Sequence, residues 1–300
     1  MLILVYVDDI MVATNEEEGK KILFDDLDTA YGIKDQGLLT QYLGIEVAQT
    51  DDSVTINQSK YAHEILETFG YSQAHAVGNP METKVKLVPL GESEDADTSF
   101  EYRKAVGMLM YLATGTRPDL AFAVEQLSRF VAKPSAKHVG TLKRILRYLA
   151  GTVGYGITVT KEHDWICFYA RWWCNFLDVS AAVNRGTLNG RAEYVAACEA
   201  TMEAAAASDI LQEVMPQRTV DLRLGIDNQA AHVLATNPAY SRRTRHIELR
   251  WHFVREQVQK GANELHKVKG NENPADAFTK PLDKNRLKVL LELVGIGNAK

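Results

Sequence analysis

Asp8 and Asp9 stand side by side directly after LILVYV (2–7), and Ile10-Met11-Val12 resumes the apolar run. Apolar residues on both sides of an acidic pair predict a β-hairpin with the carboxylates at its tip. A bare Asp-Asp pair most often just caps a surface turn. A tight turn between two β runs does more, because it holds hard oxygen ligands rigidly outward. Divalent-metal phosphoryl transfer needs that arrangement, with the ion clamping attacking and leaving oxygens. Three further acids lie on separate predicted elements. Glu193 begins an Ala-rich helix in RAEYVAA, Asp227 closes the strand DLRLGID, and Asp276 lies in NENPADAFTKPL (271–282), which opens a C-terminal helix. Singly, each has an ordinary explanation: an acid in a first helical turn complements the dipole, and an Asp after a strand often caps the next helix.

Two basic stretches suit phosphate contact. Arg242, Arg243, Arg245 and His246 cluster ahead of a helix in YSRRTRHIELRWHFVREQVQKG (240–261). The helix itself reads as a solvated face, with Ile247, Trp251 and Val254 at core spacing. Lys133, Lys137, His138, Lys143, Arg144 and Arg147 accompany a helix whose Leu142, Ile145, Leu146 and Leu149 are core. Contacts from such cations are independent of base sequence and sensitive to salt. The histidines show no metal-ligand spacing.

The elements that must position these groups follow from periodicity. Residues 19–33 have helical spacing; 39–70 read as strand, Asp51-Asp52 turn, strand and helix, with Ser59 at the N-cap position. Residues 75–100 change texture, and GESEDADTS (91–99) is acidic, small and without large apolar residues, the clearest linker in the chain. Helices are predicted over 100–115, 118–132, 138–150 and 191–215, and strands over 153–170 and 220–227.

Composition narrows the function classes. A hydrophobic fraction of 46% and a charged fraction of 24% are those of an ordinary globular chain of two or three domains. No apolar run is long enough to span a bilayer, and no basic segment precedes the opening apolar stretch as in a signal peptide. Cys167, Cys174 and Cys198 are too few for a disulfide framework or zinc site, which points to a reducing compartment. A net charge of −5 argues against a uniformly basic nucleic-acid binder, although local patches decide such binding.

LVYVDDIMVAT (4–14) resembles the catalytic turn of copia-type (Pseudoviridae) retrotransposon reverse transcriptases. The resemblance continues in order through QYLGIEV (41–47), INQSKYAHEIL (56–66), YRKAVGMLMYLATGTRPDLAFAVEQLSRF (102–130) and AKHVGTLKRILRYLAGTVGYGI (136–157). It resumes in AEYVAACEA, DNQAAHVLATNP and RTRHIELRWHFVREQV. It implies an α+β chain: a partial reverse-transcriptase palm with helical thumb and connection, then an RNase H-like α/β domain. The implied units are palm and thumb start over 1–90, acidic linker and helical connection over 91–160, RNase H-like domain over 161–285, and a C-terminal helix or tail over 286–300. Asp8 and Asp9 are then polymerase metal ligands, and Glu193, Asp227 and Asp276 those of the RNase H-like site. The implied cofactor is Mg²⁺ or Mn²⁺. The implied partners are RNA template, RNA–DNA hybrid, DNA and upstream Pol segments, with no membrane. The family's cytoplasmic particles, or the nucleus, are the implied location.

Two departures qualify the expected activity. The family's further polymerase aspartate lies upstream of the turn, so the chain by itself is expected not to polymerise DNA. At the first RNase H strand, CFYARWWCN (167–175), Ala170 and Trp172 stand where the family carries Asp, so hybrid cleavage is expected to be weak or absent. A non-catalytic nucleic-acid binder and a degenerate element remnant are the alternatives.

Overall fold

The computed structural model describes residues 1–14, 16–160, 189–214, 216–217, 222–236 and 253–298. Two strands open the chain, β1 (Leu2–Tyr6) and β2 (Asp9–Ala13), paired with each other as a two-stranded sheet. Helix α1 (Glu17–Tyr31) follows and ends where Gly32 turns left-handed at φ 73°, returning its N–H to the Asp28 carbonyl. No residue of the hairpin or of α1 is fully buried.

A meander of β3 (Gln41–Tyr42), β4 (Ile45–Gln49) and β5 (Ser53–Asn57) leads into α2 (Ser59–Phe69). The single strand expected before Asp51 is broken at Leu43 and Gly44, both at positive φ (49° and 81°). Two consecutive positive φ values make the type I′ turn that matches the twist of paired strands. Ser59 differs from its expected role as well. It is the first helical residue, and its N–H donates to Asn57 Oδ1 (3.1 Å) and Glu46 Oε2 (3.0 Å). The cap therefore comes from the strands.

The larger core joins α2 to α3 (Tyr102–Gly115), a 3-10 turn (Pro118–Leu120), α4 (Ala121–Ser128) and α5 (Ala136–Ala150). The helix expected over 118–132 is thus a turn and a short helix. α5 is amphipathic: Val139, Leu142, Ile145, Leu146 and Leu149 are buried, and Lys143, Arg144 and Arg147 run along the other side. Strand β6 (Tyr155–Thr160) adds to β5 antiparallel, with Ile56 opposite Ile157 and the Thr55 and Thr158 hydroxyls 2.9 Å apart.

A smaller core lies between α6 (Asn189–Val214), β7 (Leu222–Ile226), α7 (Gln229–Thr236), α8 (Phe253–Gln259) and β8 (Asn263–Lys267). β7 and β8 are parallel, with Leu224 opposite Leu265. Parallel neighbours need a long crossover, and α7 and α8 belong to it. Tyr194, Cys198, Ile226, Ala231 and Val254 fill the space between.

The end of the chain returns to the larger core. α9 (Asp276–Thr279) and α10 (Lys284–Leu293) contribute Ala277, Phe278, Leu287, Leu290 and Leu291, and β9 (Ile296–Asn298) pairs with β6. The sheet order becomes β3-β4-β5-β6-β9. The smaller core is therefore inserted between two adjacent strands of the larger unit's sheet. Gly295 makes the return possible: it sits at φ 70°, and a Cβ there would strike the Thr158 carbonyl oxygen. No helix among the described residues is long and apolar enough to cross a membrane.

Candidate functional site

Asp8 and Asp9 sit where the sequence puts them. Tyr6 pairs with Asp9, so Val7 and Asp8 are the two turn residues, and both carboxylates are exposed. Val7 adopts φ 50°, and a positive φ at the first central position only is the type II′ pattern. A β-branched residue in that region is strained by about 1–3 kcal/mol. The hairpin accepts this strain at the residue next to the paired acids. Two carboxylates at a fixed tip suit Mg²⁺ or Mn²⁺ in donor chemistry, but an octahedral ion takes six oxygens and needs others. Among the described residues no three His, Cys, Asp or Glu side chains form a group that could hold a metal.

The three other acids divide between the two cores. Glu193, half-buried near the start of α6, precedes Tyr194 of the smaller core; Asp227, half-buried, follows Ile226 of the same core. The helix-capping role that sequence suggests for Asp227 belongs to its neighbour. Asn228 Oδ1 accepts from the Ala230 and Ala231 N–H groups (2.9 and 3.1 Å), leaving the Asp227 carboxylate out of the cap. Lys267, at the end of β8, donates to the Asp227 carbonyl. Sequence reasoning missed Lys267, since nothing in NELHK marks a strand parallel to β7.

Asp276 is in a different setting. It is 2% exposed, beside Ala277 and Phe278 of the larger core. Its Oδ1 lies 2.6 Å from Lys280 Nζ, and its Oδ2 accepts from Arg286 Nη2 at 2.8 Å. Arg286 also donates to the Gly270 carbonyl, so this acid bridges α9, α10 and the approach from β8. Two cations already neutralise the carboxylate, which fits a structural bracket.

The α5 cations have partners of their own. Arg147 donates to the His75 carbonyl (2.8 Å) and Arg144 to Asn79 Oδ1 (2.6 Å), while the Lys143 ammonium lies 5.7 Å from the Phe100 ring centre. Arg242, Arg243, Arg245 and His246 lie outside the described residues, as do Cys167, Ala170, Trp172 and Cys174.

α5 begins with a histidine in a capping box. Ser135 Oγ accepts from the His138 N–H (3.3 Å), and His138 Nδ1 accepts from the Ser135 N–H (2.9 Å). The ring is buried and stacks on Phe130 at 4.0 Å. Accepting at Nδ1 requires the neutral ring, and burial, with Lys137 beside it, holds the pKa below the usual imidazole value. The unfolded chain therefore takes up this proton first as pH falls. The contribution of His138 is undiminished above about pH 6.5 and is lost as pH drops from there toward the lower folded value. Urea midpoints measured from neutral pH down to about 5 should fall less steeply for His138→Gln than for the parent; equal slopes would refute the assignment.

Residues 1–83 match the sequence model of the family described as reverse transcriptase (RNA-dependent DNA polymerase). The retrovirus-related Pol polyprotein from transposon RE1 of Arabidopsis thaliana is 31% identical over 98% of this chain and 21% of its own length. The corresponding polyprotein from transposon TNT 1-94 of Nicotiana tabacum is 31% identical over 99% of the chain and 24% of its own length. An uncharacterized mitochondrial protein of Arabidopsis thaliana is 31% identical over 54% of the chain and 66% of its own length. The chain thus spans about a fifth to a quarter of the Pol polyproteins it matches. No solved structure matches it.

Proposed function

We propose that this chain, whose residues 1–83 match the reverse transcriptase family model and which is similar to copia-type retrotransposon Pol polyproteins over nearly its whole length, serves as the rear palm, thumb and connection of such a polymerase with an RNase H-like unit inserted, acting on RNA–DNA duplex. The observation that carries this reading is the Asp8-Asp9 tip, held by a strained two-residue turn within the family-matched segment.

Asp8 and Asp9 would hold a divalent ion together with oxygens from substrate or from other Pol segments. The ion would neutralise charge developing on the transferred phosphoryl group. The hairpin's job is to fix where the two carboxylates stand. Its outer residues also suggest where the upstream Pol segments pack. Leu2, Ile3, Leu4, Val5 and Tyr6 are 38–62% exposed, and an isolated two-stranded hairpin is marginal in water. A covering partner would stabilise the turn and complete the site together.

For hybrid cleavage we assign Glu193 and Asp227 as the retained carboxylates, with weak or no activity. Ala170 stands where the family's first ligand would be. Asp276 could join them only by giving up Lys280 and Arg286. We place the protein, like its family, in cytoplasmic particles.

The test is template-directed dNTP incorporation by this chain assembled with the upstream Pol segments. Asp8→Asn is expected to lower the rate at least about a hundredfold, since a lost metal ligand withdraws several kcal/mol of charge stabilisation. Unchanged incorporation by the folded variant would remove the site from the polymerase.

A further inference from the structure

The stretch joining α2 to α3 lies along α5 and is tied there by the helix's own cations and those just before it. Arg147 holds the His75 carbonyl; Arg144 holds Asn79 Oδ1 and, at 3.0 Å, Glu82 Oε1. Lys137 Nζ donates to the Lys86 carbonyl (2.7 Å), and Lys133 Nζ to the Gly91 and Glu92 carbonyls (3.1 and 3.3 Å). One backbone bond, from the Asp97 N–H to the Pro134 carbonyl (2.8 Å), closes the far end.

Only Asn79, Pro80 and Met81 of residues 75–100 are fully buried. From Glu82 to Ser99 the segment rests on these polar ties and on half-buried Val85, Leu87 and Leu90. Apart from Glu82, the cations are satisfied by neutral oxygens, which are weaker acceptors than charged ones by roughly half. Phosphate oxygens would compete well for the same donors. The segment also carries five acids against two lysines between 82 and 99, so a nucleic-acid backbone on α5 would repel it.

We propose that residues 82–99 are a displaceable strap over a phosphate-binding face of α5, released when an RNA–DNA duplex takes over Lys133, Lys137 and Arg144. The strap would be an internal competitor: it keeps the cations ordered when no duplex is present and sets a threshold for binding. This rests on the reading above that the chain acts on RNA–DNA duplex.

Hydrogen exchange of the full chain, with and without a short RNA–DNA hybrid at low salt, tests it. Amides within 82–99 should exchange several-fold faster when the hybrid is bound, while those of α5 keep or gain protection. Glu82→Gln, which frees Arg144, should tighten hybrid binding about two- to fivefold, the worth of one exposed ion pair. Glu94→Gln removes the same charge where the carboxylate accepts only from the Gly91 N–H, and should have a smaller effect. Hybrid binding with unchanged exchange in 82–99, or equal effects of the two variants, would overturn the strap and leave duplex binding standing. No binding at low salt would overturn both.

Discussion

Ending the chain before Pro274 should unfold the larger core instead of trimming it. Phe278, Leu282, Leu287, Leu290, Leu291, Val294 and Ile296 would be lost from a cluster whose remaining members lie between Ala62 and Leu149. Each large side chain contributes roughly 1.5–3 kcal/mol by leaving water. Together they exceed about 10 kcal/mol, as large as the whole stability of a typical domain at roughly 5–15 kcal/mol. Loss of β9 would also expose the edge of β6 along Tyr155–Ile157, and an open edge invites aggregation. The measurement is urea unfolding followed by circular dichroism. The truncated chain should show no cooperative transition for the helical unit; a transition with an unchanged midpoint would mean that α9, α10 and β9 are dispensable.

The second large effect concerns Arg117, which is 1% exposed in the sequence TGTRPDL. Its Nε and Nη2 hold the two Asp119 oxygens at 2.9 and 2.7 Å, and Nη1 and Nη2 reach the Thr152 carbonyl and hydroxyl, both at 2.7 Å. Tyr155 and Tyr148 flank the guanidinium, 5.3 and 5.8 Å from their ring centres. Burial opposes the charge, but Asp119 outweighs it and keeps the pKa above the ordinary arginine value. This cluster ties the 3-10 turn to the loop between α5 and β6. Arg117→Met should cost about 3–5 kcal/mol, because it strands a buried carboxylate. Arg117→Met combined with Asp119→Leu should recover part of that loss, since the penalty lies in the unpaired charge and less in the missing bond. A single substitution costing under about 1 kcal/mol would show that water reaches the site.

Neither the C-terminal segment's place in the larger core nor the buried Arg117–Asp119 pair is legible in the sequence. Arg117 and Asp119 fall at the junction of the helices predicted over 100–115 and 118–132; the tertiary contact with Thr152, 35 residues on, turns them into a core. Asp276 was legible as one of an ordered set of acids, yet its neighbours Lys280 and Arg286 explain it within its own segment. Lys143 and Arg147 were visible as a positive face, but their use by residues 75–100 depends on which segment crosses α5. A charge pattern reports which helix face is polar, and it does not report what lies across it.

The hairpin of Asp8 and Asp9, the amphipathic α5 and the Ala-rich α6 were readable because each rests on local periodicity and turn chemistry. Strand β8 and the short β9 were not, because NELHK and IGN carry little alternation and owe their form to β7 and β6. The sequence alone determined kinship with retrotransposon reverse transcriptases and the positions of the acids, since motif order and residue type are properties of one dimension. The tertiary structure alone decided that the end of the chain completes the first core and that Asp276 is buried there. Those outcomes depend on contacts between segments more than a hundred residues apart, and on which neighbours satisfy a buried charge once water is gone.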